Sequence, residues 1–264
     1  MFDLHSHILP AIDDGAKTIA ESLDMLTIAA DCGTTTIIAT PHVIEGSWLP
    51  EWGDILSKTA ELNLAAASAC LNLTILPGAE VALNMDILNR ITGPGPYCIN
   101  STQYMLVELP ATHIPPFADD FFFTLQARGV TPIIAHPERH HEIGKNPWIL
   151  LEWINRGILT QMNGTSLTGK MGERNMKTAE LLLANNMIHL IGSDAHSPRL
   201  RTPRLTEART KIYSLVDPDY AEQITTTNPS YITQGRDLTI PEVYTINYPA
   251  KKKSLKSLFA SVFS

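Results

Sequence analysis

The chain has 264 residues and a formal charge of −7, which excludes a general nucleic-acid surface because phosphate binding draws on clustered Lys and Arg. Its length suits one large core, since strand–helix barrels run to about 250 residues as a single unit. Three cysteines (Cys32, Cys70, Cys98) make no disulfide framework. The start has no basic and apolar leader, and no run reaches the roughly 20 apolar residues of a membrane span, so the expected compartment is the cytoplasm.

The first apolar run, "MFDLH", reads as a buried strand, and "TIAESLDMLTIAADCG" after it carries apolar residues at three- and four-residue spacing. The alternation then repeats. "TTTIIATPH" precedes the helical "WGDILSKTAELNLAAASACL", and "LTILPGAEV" precedes a short helix with a Gly/Pro turn in "NMDILNRITGPGPYCINSTQ". "YMLVELP" precedes "FADDFFFTLQARG", "TPIIAHPER" precedes "PWILLEWINRG", and "ILTQMNG" precedes "RNMKTAELLLANN". "MIHLIGSDAH" is the seventh strand, and several helices end at Gly or Asn, as helix stops do. Strands and helices alternating at about 27 to 40 residues per unit imply right-handed crossovers and a parallel sheet. Seven units can close into a barrel; an open doubly wound sheet has the same periodicity.

The polar residues separate the two. Nearly every strand ends in a side chain of metal-ligand type: His5 and His7, His42, Glu80, Glu108, His136, then Asp194 and His196. In a parallel barrel the C-terminal strand ends share one face, so residues scattered over the whole chain converge there. Alone, the His5–His7 pair reads equally well as ligands or as packing or an incidental surface pair, and lone His42, His136 or Glu108 reads better as a structural residue. Together they point to metal, because burying so many ionisable groups without a cation is costly. Imidazole mixed with carboxylate suits Mn, Fe or Zn, and the lack of nearby Cys excludes a thiolate zinc site. A carboxylate such as Glu80 can bridge two cations about 3.5 to 4 Å apart, an arrangement used in phosphate-ester hydrolysis.

"DLHSHILPAIDDG", "ATPH", "PGAEV", "LVELP", "AHPER", "QMNGTSLTG" and "GSDAHSPRLRTP", in this order, resemble the polymerase-and-histidinol-phosphatase (PHP) superfamily. More narrowly they are similar to its bacterial capsular and exopolysaccharide tyrosine-protein phosphatases. The resemblance implies a single-domain α/β fold, a distorted (β/α)7 TIM-like barrel, over residues 1–240. It implies three divalent ions, usually manganese, with iron or zinc as alternatives. His5, His7, Glu80 and Asp194 would hold the first, Glu80, Glu108 and His136 the second, and Asp14, His42 and His196 the third. Asp13 would shape the turn or support a ligand from behind, with Gly15 permitting that turn, and Glu138 would make a salt bridge or a supporting contact and not a metal bond. Arg139 and Arg201 match phosphate-binding positions, a guanidinium fork suiting phosphate. The register after His196 departs from the usual pattern, so Arg199 is the alternative to Arg201. A further departure is Val43, where the family often has a second histidine.

The activity implied is phosphotyrosine hydrolysis by a metal-bridging hydroxide, on the tyrosine-rich tail of a bacterial kinase controlling polysaccharide export. No cysteine is followed six residues later by Arg, so the cysteine-nucleophile loop is absent. The alternatives are a phosphatase of a small ester such as histidinol phosphate, against which Glu108 weighs, and a non-catalytic metal-binding module. His140 and His141 read as a solvated helix start, His189 as a core histidine, His113 as part of a Pro-rich entrance loop, and residues 121–123 as core aromatics. The last segment, 241–264, places Leu255, Leu258, Phe259, Val262 and Phe263 on one helical face beside Lys251, Lys252, Lys253 and Lys256. Such a basic amphipathic tail suits peripheral contact with an anionic membrane or a partner helix; packing onto the barrel or fraying as a disordered end is the alternative.

Overall fold

The computed structural model describes residues 1–240, 242 and 243; the basic amphipathic segment lies outside the described residues. Every strand pair is parallel, in two ladders. The first joins β1 (Phe2–Ser6), β2 (Thr36–Ala39) and β4 (Thr74–Pro77) in that order. The second runs β3 (His42–Val43), β5 (Glu80–Ala82), β6 (Tyr104–Glu108), β7 (Thr131–Ala135), β8 (Leu159–Asn163) and β9 (Leu190–Gly192).

Two of the seven expected strands are therefore bent, and the ladder changes partners at the bends. β2 leads into β3 through Thr40 and Pro41, and β4, which ends at Pro77, into β5 through Gly78 and Ala79. Each proline removes a ladder donor. A side chain on Gly78 would meet Ile38 Cγ2 at 3.0 Å, so the second bend packs directly on the end of β2. Beyond the bends His42 pairs with Glu80 and Glu80 with Leu106, which puts the polar strand ends in register. On the far side β9 returns to β1. Asp194 N donates to His5 O and His7 N to Ala195 O, both at 2.8 Å, while buried Asp3 accepts from Ser193 N through Oδ1. The distorted barrel expected from the polar strand ends is present as these two ladders and this junction.

Helices α1 (Ile19–Asp31), α2 (Trp52–Ser68), α3 (Ala118–Ala127), α4 (His141–Lys145), α5 (Trp148–Ile154), α6 (Gly164–Leu167) and α7 (Glu173–Ala184) connect the strands. Thr18 caps α1 by accepting from Glu21 N. Gly33, Gly129 and Gly157 take left-handed backbone after α1, α3 and α5, as expected of helix stops, and Asn186 does so after α7. The linker after β5 forms a short 3-10 helix at Met85–Asn89. After β9 come α8 (Thr206–Leu215), α9 (Pro218–Glu222) and α10 (Asn228–Thr233), which the strand–helix rhythm did not anticipate. One apolar cluster lies between strands and helices. A second takes Leu4, Ile38, Leu106, Ile133, Leu159 and Leu190 from six strands, as a barrel interior does, with Ile232 of α10. Glu108 and Gln161 follow Leu106 and Leu159 by two residues, so the polar layer sits on the same side one step further along.

Candidate metal centre and active site

Glu80, 1% exposed, is the centre of the polar layer. Its Oε2 lies 3.3 Å from His5 Nε2, 3.2 Å from His7 Nε2 and 3.1 Å from His42 Nδ1, while Oε1 lies 3.0 Å from His136 Nε2. The Nε2 atoms of His5 and His7 are 3.2 Å apart, and each is 3.5 Å from Asp194 Oδ1. Glu108 reaches the cluster from β6, with Oε1 3.6 Å from His136 Nε2. On the other flank Asp14 Oδ1 is 3.6 Å from His42 Nε2 and 3.4 Å from His196 Nε2. All nine residues read from sequence as ligands thus meet in one cluster.

The sets of ligand atoms within 4.8 Å of one another are His5, His7 and Glu80; His42, Glu80 and Glu108; and His7, Asp14, His42 and His196. His7, His42 and Glu80 are each shared by two sets, while His136 and Asp194 of the expected partition fall in none of them. His42 Nδ1 is buried without a hydrogen-bond partner although Glu80 Oε2 is so close. Two electron-pair donors facing each other this way suit a shared cation, and the N/O donor set suits Mn, Fe or Zn.

Groups behind the cluster fix its geometry. Asp13 Oδ2 lies 2.7 Å from His7 Nδ1 and accepts from His42 N at 3.0 Å, while Oδ1 accepts from Gly15 N. Asp13 thus orients His7 and holds the turn, and Asp14 faces the cluster. Two residues of the "QMNG" stretch, to which the sequence reading gave no role, do similar work. His5 Nδ1 is 2.8 Å from Gln161 Oε1, Gln161 Nε2 donates to Asn163 Oδ1 at 3.0 Å, and Asn163 Nδ2 donates to Asp194 Oδ2 at 2.7 Å. His136 and Asp194 both adopt left-handed backbone, at φ 32° and 54°, conformations costing of order 1–3 kcal/mol each that cluster at functional sites.

The electrostatics follow from crowding carboxylates and imidazoles away from water. Burial opposes a charge on His5, yet Glu80 and Asp194 outweigh it and hold its pKa up. His7 is raised well above the usual value against burial, by Asp13, Asp194 and Glu80. Despite burial, Glu80 and Asp194 are held well below the carboxylate range, with His5 the main partner of both. Burial and the charge on Glu80 push Glu108 up. His196 is pushed down to about 3 by burial, His7 and Arg201. A buried cluster of this composition attracts positive charge, as protons on His5 and His7 or as divalent cations.

The family model for capsular polysaccharide synthesis, CpsB/CapC, matches residues 1–234. The chain belongs to the CpsB/CapC family. Tyrosine-protein phosphatase YwqE of Bacillus subtilis (strain 168) is 32% identical over 259 residues, 98% of this chain and 99% of that one. Tyrosine-protein phosphatase CpsB of Streptococcus pneumoniae is 27% identical over 237 residues, 88% and 98% of the two chains. A crystal structure from work on YwqE and CpsB, described as unique metal-dependent tyrosine phosphatases, matches with a TM-score of 0.85 at 31% identity, covering 93% of this chain and all of that one. A histidinol phosphate phosphatase from Lactococcus lactis, at TM-score 0.54 and 14% identity over 81% of this chain and 93% of that one, shares the fold alone.

In this CpsB/CapC chain the two arginines meet at one atom. Asp194 Oδ2 accepts from Arg139 Nη1 at 2.8 Å and lies 2.5 Å from Arg201 Nη2. Arg199 is exposed and has no part in this contact, whereas Arg201 faces the cluster. Glu138 is buried with Oε1 accepting from Asn163 N, a supporting contact without a salt bridge. His140 departs from the solvated helix start expected of it. It is 5% exposed, and its Nδ1 accepts from Glu142 N and Ile143 N, capping α4 from inside, while His141 remains exposed. His189 is a core histidine, and of the three phenylalanines Phe121 and Phe122 are buried while Phe123 faces solvent. Trp48, unremarked in the sequence, stacks on His42 with ring centroids 5.4 Å apart.

Proposed function

We propose that the chain is a metal-dependent protein-tyrosine phosphatase of capsule or exopolysaccharide synthesis, and that its substrate is the phosphotyrosine tail of a bacterial tyrosine kinase. The observation that carries this reading is the convergence of nine N/O side chains in one cluster centred on Glu80, with Arg139 and Arg201 both on Asp194. His5, His7, Asp14, His42, Glu80, Glu108, His136, Asp194 and His196 would hold divalent ions, of which manganese suits the donor set and three is the number the overlapping sets accommodate. Such ions lower the pKa of water and neutralise charge on phosphoryl oxygens.

The chain's own residues do the rest. Arg139 and Arg201 are anchored by Asp194 and keep guanidinium donors free for the phosphoryl oxygens, where charge develops in the transition state. Asp13 and Gln161 fix the rings of His7 and His5, and Asn163 fixes Asp194, so no ligand needs to reorganise during reaction. A water oxygen becomes bonded to phosphorus as the phosphorus–phenol oxygen bond breaks, releasing tyrosine and inorganic phosphate. No covalent phosphoenzyme is required: no cysteine lies in the cluster, and Cys98 is buried with its thiol pushed up to about 11. The test is exhaustive chelation followed by Mn²⁺ add-back, read with a phosphotyrosine peptide. Activity should vanish and return; activity surviving chelation would refute the proposal.

A further inference from the structure

Beside the cluster, between β6 and β7 and the start of α7, lies a cavity of 240 Å³. Leu109, Ala111, Ala135 and Met171 give it apolar walls, and Glu108 and Arg139 line it where it meets the cluster. Leu109 and Ala135 are buried, so this wall is part of the folded core. We propose that this cavity seats the aromatic ring of the phosphorylated residue, an inference that rests on the phosphatase reading above.

Three features carry it. Arg139 lines the cavity and also binds Asp194 at the cluster, so a phosphate held there has its ester oxygen at the cavity mouth. The volume falls short of the roughly 300–1,000 Å³ of sites that enclose drug-sized ligands, which leaves room for one ring and not for a nucleotide or a disaccharide. Besides its apolar walls the lining holds Glu108, Arg139, the imidazoles of His136 and His140 and the amide of Asn175, so an uncharged ring can lie on the apolar side with the guanidinium against its face. Trp48, half-buried and stacked on His42, is the rival platform.

The probes are phenylphosphonate and methylphosphonate, which share the phosphoryl group and differ in the ring, titrated calorimetrically into the metal-loaded full chain. The unmodified protein should bind the phenyl compound roughly tenfold or more tightly than the methyl one, the discrimination an apolar pocket supplies. Ala111→Phe fills the cavity from an exposed loop position and should erase that preference, leaving methylphosphonate within about twofold. Met171→Ala enlarges the cavity instead, and should weaken the phenyl compound alone. The inference is overturned if the preference survives both substitutions, if both phosphonates weaken together, or if Trp48→Ala erases the preference in their place. Equal binding of the two phosphonates by the unmodified protein overturns the ring site while leaving the phosphatase reading intact. Failure to bind either, with no hydrolysis of a phosphotyrosine peptide, defeats the phosphatase reading and this inference with it.

Discussion

Replacing Gln161 by Leu tests how the metal centre is built. The substitution keeps the approximate volume and removes the middle of the chain His5–Gln161–Asn163–Asp194. All four side chains are buried, so the groups left behind have no water to turn to. His5 Nδ1 loses its partner at 2.8 Å and Asn163 Oδ1 loses its donor at 3.0 Å. Each unpaired buried group costs about 1–3 kcal/mol, so the fold should lose roughly 2–6 kcal/mol. The second effect is on ligation. An acceptor at Gln161 Oε1 keeps the His5 proton on Nδ1 and leaves Nε2 free toward Glu80. Losing a partner of this kind weakens metal affinity by about 10- to 100-fold.

The assay is calorimetric titration of Mn²⁺ into chelator-stripped protein, beside thermal unfolding without metal and nitrogen NMR of the histidine rings. Gln161→Glu makes the discriminating control. It keeps an acceptor for His5 but has no donor for Asn163, so its affinity should fall between the two. A Leu variant that loses stability while binding Mn²⁺ with unchanged affinity and an unchanged His5 tautomer would refute the reasoning and reduce Gln161 to packing.

Arg139→Ala should lower kcat on a phosphotyrosine peptide by about 10²- to 10³-fold, as loss of one transition-state donor does, while metal content by elemental analysis stays constant. Asp13→Asn keeps the shape of the turn but weakens the hold on His7; its metal affinity should drop about tenfold or more, measured by the same titration. His189, pushed down to about 4 by burial, titrates at its ordinary value once unfolded. From neutral pH downward the unfolded chain therefore takes up a proton before the folded one does, and stability falls between about pH 6.5 and pH 4 by roughly 3 kcal/mol. In His189→Asn, where the amide oxygen can accept from Thr160 N as Nδ1 does, denaturant unfolding should show that much less loss over the same range.

The alternation of apolar runs placed all seven strand positions, because a parallel strand buried on both faces leaves a continuous apolar signature. It did not reveal that two of them bend, although Pro41 and Pro77 stood at the bends. A proline at a strand end reads equally well as an exit and as an interruption. Eight of the nine candidate ligands were legible for a related reason, since a charged or imidazole side chain ending an apolar run is conspicuous; Asp14, in a loop, came only from the family resemblance. Gln161 and Asn163 were not legible. They carry no charge, and only the fold brings them against His5 and Asp194. Asp13 and Asp14 posed the reverse problem, two identical side chains in one loop, and the turn geometry separates them. α8 to α10 lie after the last strand, where the rhythm that marked the earlier helices had ended.

Two glycines at the edge of the site, Gly15 and Gly192, are required there by close packing. Gly15 was read as freeing the turn, yet its backbone is outside the left-handed region, so conformational freedom is not what the position requires. Space is. A Cβ there would lie 2.1 Å from His7 O, and one on Gly192 would lie 2.5 Å from His5 Cβ and 2.8 Å from Gln161 Nε2. The two histidines of "HSH" are therefore closed in by backbone on both sides, at Gly15 before α1 and at Gly192 on β9. This explains how two imidazoles can be held with Nε2 atoms 3.2 Å apart: neighbouring backbone restricts them as tightly as their hydrogen bonds to Gln161 and Asp13 do. A methyl group at Gly192 cannot be absorbed by rotating a flexible side chain, because His5 Cβ is fixed by its strand, so the pair must separate. The metal centre and the β1–β9 junction are then one structural unit, and a change that loosens either should loosen both.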